Sequence, residues 1–223
     1  MVKLRFVTLA SATLLVPASI SAQDSATATA GTAAVTQVQR LDTAAQLAAY
    51  GREMKDPYAM IAAARMEMAV GAGSADYKPE VKSGAKDAHV GDHKAHGVAY
   101  LDEARTLARG DKTILAAIES TKSMGSRGAT CGCKIGYYTA RAGDVHRYTI
   151  SFRASELAEL LIVGDGSADL DVAIYNQYGK LVRSDNGSST RAYASWYPSA
   201  TAPYVIEVTN VGSSSSTYRL TTN

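Results

Sequence analysis

The stretch Val163-Gly-Asp-Gly-Ser-Ala-Asp-Leu-Asp-Val-Ala-Ile-Tyr-Asn-Gln-Tyr-Gly179 constrains the fold more than any other part of the chain. Leu170, Val172 and Ile174 alternate with Asp169, Asp171, Ala173 and Tyr175. A period of two puts neighbouring side chains on opposite faces, so this is a strand with one buried face. Asp165-Gly166 before it and Asn176 to Gly179 after it carry turn chemistry. Such a strand needs partners, and the second half of the chain supplies them. Tyr148 to Phe152, Leu157 to Val163, Lys180 to Ser184, Arg191 to Trp196, Tyr204 to Val208 and Thr217 to Thr221 read as strands. Asn186-Gly187 and Gly212 to Ser216 mark turns. Seven short strands with no helical period between them predict two packed antiparallel sheets over 143–223. That segment is expected to fold by itself.

The first half has a different period. Val38, Leu41, Ala45 and Ala48 fall on one helical stripe, and Ile61, Ala64 and Met68 on another. Between them, Asp56 can cap a new helix whose first turn holds Pro57. The device recurs, with Gly110 ending a helix from Leu101 and Asp111 capping the next, which carries Ile114, Leu115 and Ile118. Two helical hairpins predict a small bundle over 35–122. Residues 71–97, rich in Gly, Lys, Asp and His, are expected to be a flexible insert, and 123–142 a Gly- and Cys-containing linker. The fold class expected is α+β multidomain, helical hairpins followed by an antiparallel β-sandwich.

The start of the chain sets the compartment. Lys3 and Arg5 precede an apolar run from Phe6 to Pro17, and Ser19-Ile-Ser-Ala22 closes it. This is the pattern of a cleavable secretory signal over 1–22, too short to span a bilayer. Residues 23–34, rich in Ala, Thr and Ser, are expected to form a flexible mature N-terminus. The expected product is soluble, secreted or periplasmic. Of 23 basic residues two lie in the signal, which has no acidic one, leaving 21 of each sign. Balanced charge without a basic, aromatic-interleaved cluster argues against a nucleic-acid partner.

Several segments taken in order resemble the bacterial pre-peptidase C-terminal domain family. They are Tyr148-Thr-Ile-Ser-Phe152, Asp169-Leu-Asp-Val-Ala-Ile-Tyr175, Gly179-Lys-Leu-Val182 with Ser184-Asp-Asn186, Tyr204-Val-Ile-Glu-Val208 and Tyr218-Arg-Leu220. The resemblance covers roughly Gly143 to Asn223. It implies a jelly-roll-like sandwich, secreted and non-catalytic, of a kind often appended to proteases and sometimes binding calcium or a polymer. No protease domain accompanies it here. The whole chain looks like secreted proteins of Gram-negative bacteria.

Four groups of residues are candidates for chemistry. No cofactor is expected, but Asp165, Asp169 and Asp171, with Asp185 and Asn186, could offer oxygens to Ca²⁺. Their spacing is not that of an EF-hand loop, and turn capping by Asp is the favoured reading. His89, His93 and His96, with Asp87 and Asp92, could hold Zn²⁺ or Cu²⁺. Lys86, Lys94, Gly91 and Gly97 interrupt that group, and a solvated polar loop is favoured. Cys131 and Cys133 are expected to pair in an oxidising compartment, as a tight ring through Gly132, between molecules, or not at all. Trp196, Tyr197, Tyr175 and Tyr178 stand near strand ends, where rigid aromatics can hold polymers or proteins, although Trp196 is expected in the core.

No nucleophile elbow, zinc-protease helix, phosphate loop or dinucleotide fingerprint occurs. The leading expectation is a secreted, non-enzymatic binding or stabilising module with an envelope polymer or protein as partner. The alternatives are a periplasmic metal-binding protein using the 89–96 loop, and a cryptic secreted hydrolase or an accessory domain of a secreted peptidase system. A triad can be assembled from distant residues, but nothing pairs His146 with a particular Ser.

Overall fold

Helix α1, Gln37–Met54, begins in a capping box: Gln39 N–H donates to Thr36 Oγ1 at 3.1 Å, and Thr36 N–H to Gln39 Oε1 at 3.0 Å. It ends at Lys55, which is left-handed. Asp56 then caps α2, Pro57–Val70, accepting from Tyr58 N–H at 2.8 Å. Helix α3, Val98–Leu107, and helix α4, Lys112–Met124, follow, and Asp111 caps the latter, accepting from Thr113 N–H at 2.8 Å. This is a computed structural model, and it describes residues 35–82, 89–90, 97–124 and 132–223. The expected signal peptide and mature N-terminus lie outside the described residues.

The strands form two sheets. The larger has the order β1 (Gly73–Ser74), β4 (Lys134–Ala140), β11 (Ser216–Thr222), β6 (Ala158–Gly164), β9 (Arg191–Trp196), with β3 (His89–Val90) also on β4. The smaller has the order β2 (Glu80–Val81), β5 (Val145–Phe152), β10 (Ala202–Asn210), β7 (Leu170–Tyr175), β8 (Leu181–Asp185). Their facing sides form one core. Tyr138, Leu160, Ile162, Tyr218 and Leu220 from the larger meet Tyr148, Ile150, Leu170, Ile174, Ile206 and Val208 from the smaller. The alternation predicted for Leu170, Val172 and Ile174 is the one observed.

A third layer explains what alternation alone does not. Val38 and Leu41 of α1 and Val70 at the end of α2 pack with Ile135 of β4 and Leu161 of β6. The helices thus cover the outer side of the larger sheet. Strand β6 is apolar on both sides for that reason, with Leu160 and Ile162 facing one core and Leu161 the other. Polar contacts fasten the layers: Thr36 Oγ1 donates to Glu159 at 2.7 Å, and Arg191 grips Asp42 through two bonds of 2.5 and 2.9 Å. In the middle lies a buried ion pair, Arg219 Nη1 to Glu67 Oε1 at 2.7 Å, with the side chains 5% and 3% exposed. Burial by itself would pull the Arg219 guanidinium down, but the Glu67 carboxylate outweighs it and holds it above its ordinary value.

Two expectations need correction. Residues 134–140, expected in the linker, form a central strand, β4, paired with β11 from Lys134↔Thr222 to Ala140↔Ser216. The insert 71–97 is not wholly structureless either. It contributes β1 and β3 to the edge of β4 and β2 to the edge of β5. Two-residue bridges carry no periodicity, so nothing in their composition marks them. Residues 35–223 form a single compact unit.

Candidate functional site

The pairing registers divide the turns between the two ends of the sandwich. At one end stand the turns 141–144, 165–169, 186–190 and 211–215, and hydrogen bonds lock them. Asp165 accepts from Ser167 N–H and Thr217 N–H, both at 2.9 Å, and from Ser216 Oγ at 3.0 Å. Burial alone would raise its carboxyl, but these bonds from Ser167, Thr217 and Ser216 outweigh it and hold it below its ordinary value. Asn210, buried, donates to Ala140 O and Ser214 O at 3.0 and 2.8 Å and accepts from Gly212 N–H at 3.0 Å. Burial, with Asp169 and Asp185 nearby, holds Asp171 above its ordinary value. Asp171 points outward while Asp185, opposite the buried Val172, lies on the other side of the sheet. Among the described residues no three His, Cys, Asp or Glu side chains are placed to hold a metal. Extracellular calcium modules work at roughly 0.1–1 mM. Calcium in that range is therefore expected to leave the melting temperature of the protein unchanged. A rise of several degrees, removed by chelator and by Asp169→Ala, would show the opposite.

His89 opens β3, paired with Thr139. Asp87, Asp92, His93 and His96 lie outside the described residues. Cys133 is buried and disulfide-bonded, and Cys131 lies outside the described residues. His146 is 0% exposed in the sandwich core, its Nδ1 2.7 Å from Tyr218 Oη, which in turn bonds Tyr148 Oη. Burial lowers the His146 pKa, opposed only in part by Asp144. The unfolded chain therefore binds the proton more readily, and the stability from a neutral His146 is full above its unfolded value of about 6.5 and is lost as pH falls below it. His146→Gln should flatten the pH dependence of denaturant unfolding below about pH 6.5. An unchanged slope would locate the dependence elsewhere.

The opposite end holds the other turns. It gathers the turns 153–157 and Asn176 to Lys180 and the loop 197–201, since Phe152 pairs with Ala202, Ala158 with Trp196 and Tyr175 with Leu181. Ser155 N–H donates to Pro198 O at 2.8 Å and joins two of these segments. Trp196 is 4% exposed and packs on Phe152, ring centroids 4.9 Å apart, as expected for a core residue. Its neighbour Tyr197 is 70% exposed and Tyr178 is 83% exposed.

Beside this end, a groove of about 470 Å³ runs over the outer side of the smaller sheet. Thr149, Val205 and Tyr175 form one row across it, and Arg147 and Glu207 part of the next. Asn176, Gln177 and Pro203 also line it. Arg147 Nε lies 2.7 Å from Glu207 Oε1, close as an ion pair though not aligned as a hydrogen bond. Asn176 Oδ1 is spent on its own turn, accepting from Tyr178 N–H and Lys180 N–H at 3.0 Å each. No described element covers this side. Arg147, Thr149 and Glu207 were not foreseen, because an outward polar residue on a strand reads the same whether its side is open or covered.

A second hollow, of about 160 Å³, lies between the helices and the larger sheet, lined by Glu67, Arg219, Tyr100, Tyr137, Arg52 and Glu103. Arg219 is matched to Glu67 and Arg52 to Glu103, and Asp165, which also lines the hollow, is held by its bonds from Ser167, Ser216 and Thr217. Burial, with the Glu67 carboxylate, pushes the Tyr137 hydroxyl up to about 12. We therefore place the candidate site on the open sheet.

No protein-family model matches the chain, and no curated protein matches it. Solved structures similar to part of it include a periplasmic inhibitor of g-type lysozyme from Aeromonas hydrophila, at 13% identity and a TM-score of 0.33, covering 41% of this chain and 84% of that one. Another is the pre-peptidase C-terminal domain of a Bacillus anthracis collagenase, at 12% identity and a TM-score of 0.31, covering 39% and 87%. A third is a carbohydrate-binding module of the Cellvibrio mixtus lichenase 5A in complex with cellotriose, at 11% and 0.26, covering 40% and 78%. All three TM-scores are below 0.5, and the sandwich of this chain rests on its own strand pairing. Among the described residues no helix is long and apolar enough to cross a membrane.

Proposed function

We propose that the protein is a secreted, non-enzymatic binding module, and that the outer side of its smaller sheet, with the adjoining aromatic end, holds an extended partner. One observation carries the reading: the helices occupy the outer side of the larger sheet, while the smaller keeps a groove lined by Tyr175 and by the turn that holds Tyr178. Its size falls in the range of sites that take small ligands or one stretch of a polymer, roughly 300–1,000 Å³. Half-buried and exposed tyrosines give rigid, amphipathic contact area. A catalytic role finds little support. His146, the one histidine with a described side chain, is in the core and bonds a tyrosine.

The test uses the full mature chain, labelled and mixed with envelope and culture-fluid polymer fractions. Binding should be retained by Tyr58→Ala, on the helices, and lost by Thr149→Arg, which fills the groove from an exposed position. Equal binding by Thr149→Arg and the parent would overturn the assignment of this side of the sheet.

A further inference from the structure

Resting on that reading, we infer that the groove takes an uncharged polysaccharide. The first argument is charge. Arg147 and Glu207 are paired, and among the described residues no other charged side chain lines the groove. An anionic polymer needs an excess of Lys or Arg along its path, and a cationic one an excess of carboxylates. Neither is present.

The second argument is hydrogen bonding. With Asn176 Oδ1 committed to its turn, its Nδ2 donors have no partner among the described residues, and neither do the side chains of Thr149 and Gln177. Amide and hydroxyl groups of this kind exchange bonds with sugar hydroxyls or acetamido groups, donating and accepting with no net charge.

The third is shape. Tyr175 lies beside Val205 and Pro203, a low apolar strip flanked by those polar groups. The C–H side of a sugar ring can lie on such a strip while its hydroxyls reach the rim. A peptide strand docks differently, by adding to a sheet edge through main-chain bonds. Here the edge is not what the groove presents; side chains are.

Affinity electrophoresis of the full mature chain decides the question. Gels hold a neutral glucan, a neutral N-acetylated glycan, polygalacturonate or gelatin. Retardation is expected in at least one neutral gel and not in the last two. Tyr175→Ala should weaken it at least about tenfold, and Gln177→Ala less, while Tyr58→Ala leaves it unchanged. Gln177 is exposed, so its variant keeps the test alive should Tyr175→Ala fail to fold. Retardation by polygalacturonate or gelatin alone, lost in the same variants, overturns the uncharged class but leaves the site. Retardation by a neutral glycan that survives both substitutions overturns the site as well. Absence of retardation in every gel overturns the inference, while binding of envelope material lost by Thr149→Arg would still uphold the site.

Discussion

Replacing Arg219 with Met should destabilise the protein by about 3–5 kcal/mol, the usual cost of leaving one member of a buried ion pair alone. Glu67 would remain 3% exposed, between α2 and the larger sheet, with its main cationic partner gone. Glu67→Gln should cost less, because an amide can still accept from the Arg219 Nη1 group. Replacing both residues with apolar ones of similar volume should recover most of the loss, since the desolvation of both charges then disappears. Denaturant unfolding of the three variants at constant m-value measures this. A single-variant loss below about 1 kcal/mol would mean the pair behaves as an exposed one.

The segment 143–223 alone should fail to fold cooperatively. It carries seven of the strands but lacks β4, which pairs with β11 along its full length. It also lacks the helices, so Leu161, now 0% exposed, and its neighbour Val163 would face water. The chain from residue 35 onward holds every missing partner and should unfold in one sharp transition. Thermal melts followed in the near ultraviolet distinguish the outcomes. A sharp transition with fixed tertiary signal from 143–223 would vindicate the self-sufficient sandwich that periodicity predicts.

Where the pattern was clean, sequence and structure agree closely. Arg191 to Trp196 is the same strand in both, and Tyr148 to Phe152 falls inside β5. Lys134-Ile-Gly-Tyr-Tyr-Thr-Ala140 escaped because it breaks alternation: Ile135, Gly136 and Tyr138 are all buried, one facing the helices and another the sandwich core. Gly136 is needed there, since a Cβ would come within 2.5 Å of the Tyr138 hydroxyl. Capping residues were legible, Asp56 and Asp111 among them, because their chemistry is local. Asp165 was legible as a turn residue for the same reason. Glu67 and Arg219 were not, since each looks like an ordinary surface charge until the layers close on it. The aromatic end was half legible: the turn residues Tyr178 and Tyr197 stood out, whereas the groove lined by Tyr175 depends on which sheet the helices leave bare.

The short strands from the 71–97 insert bear on solubility. An unpaired sheet edge is a template for another chain. Gly73, Ser74, His89 and Val90 lie along β4, and Glu80 and Val81 along β5, with Lys82 N–H donating to Val145 O at 2.9 Å. One insert thus blunts the neighbouring edges of both sheets at once. Its loss would present two adhesive edges on the same flank, and chains so exposed would stack on one another instead of remaining separate.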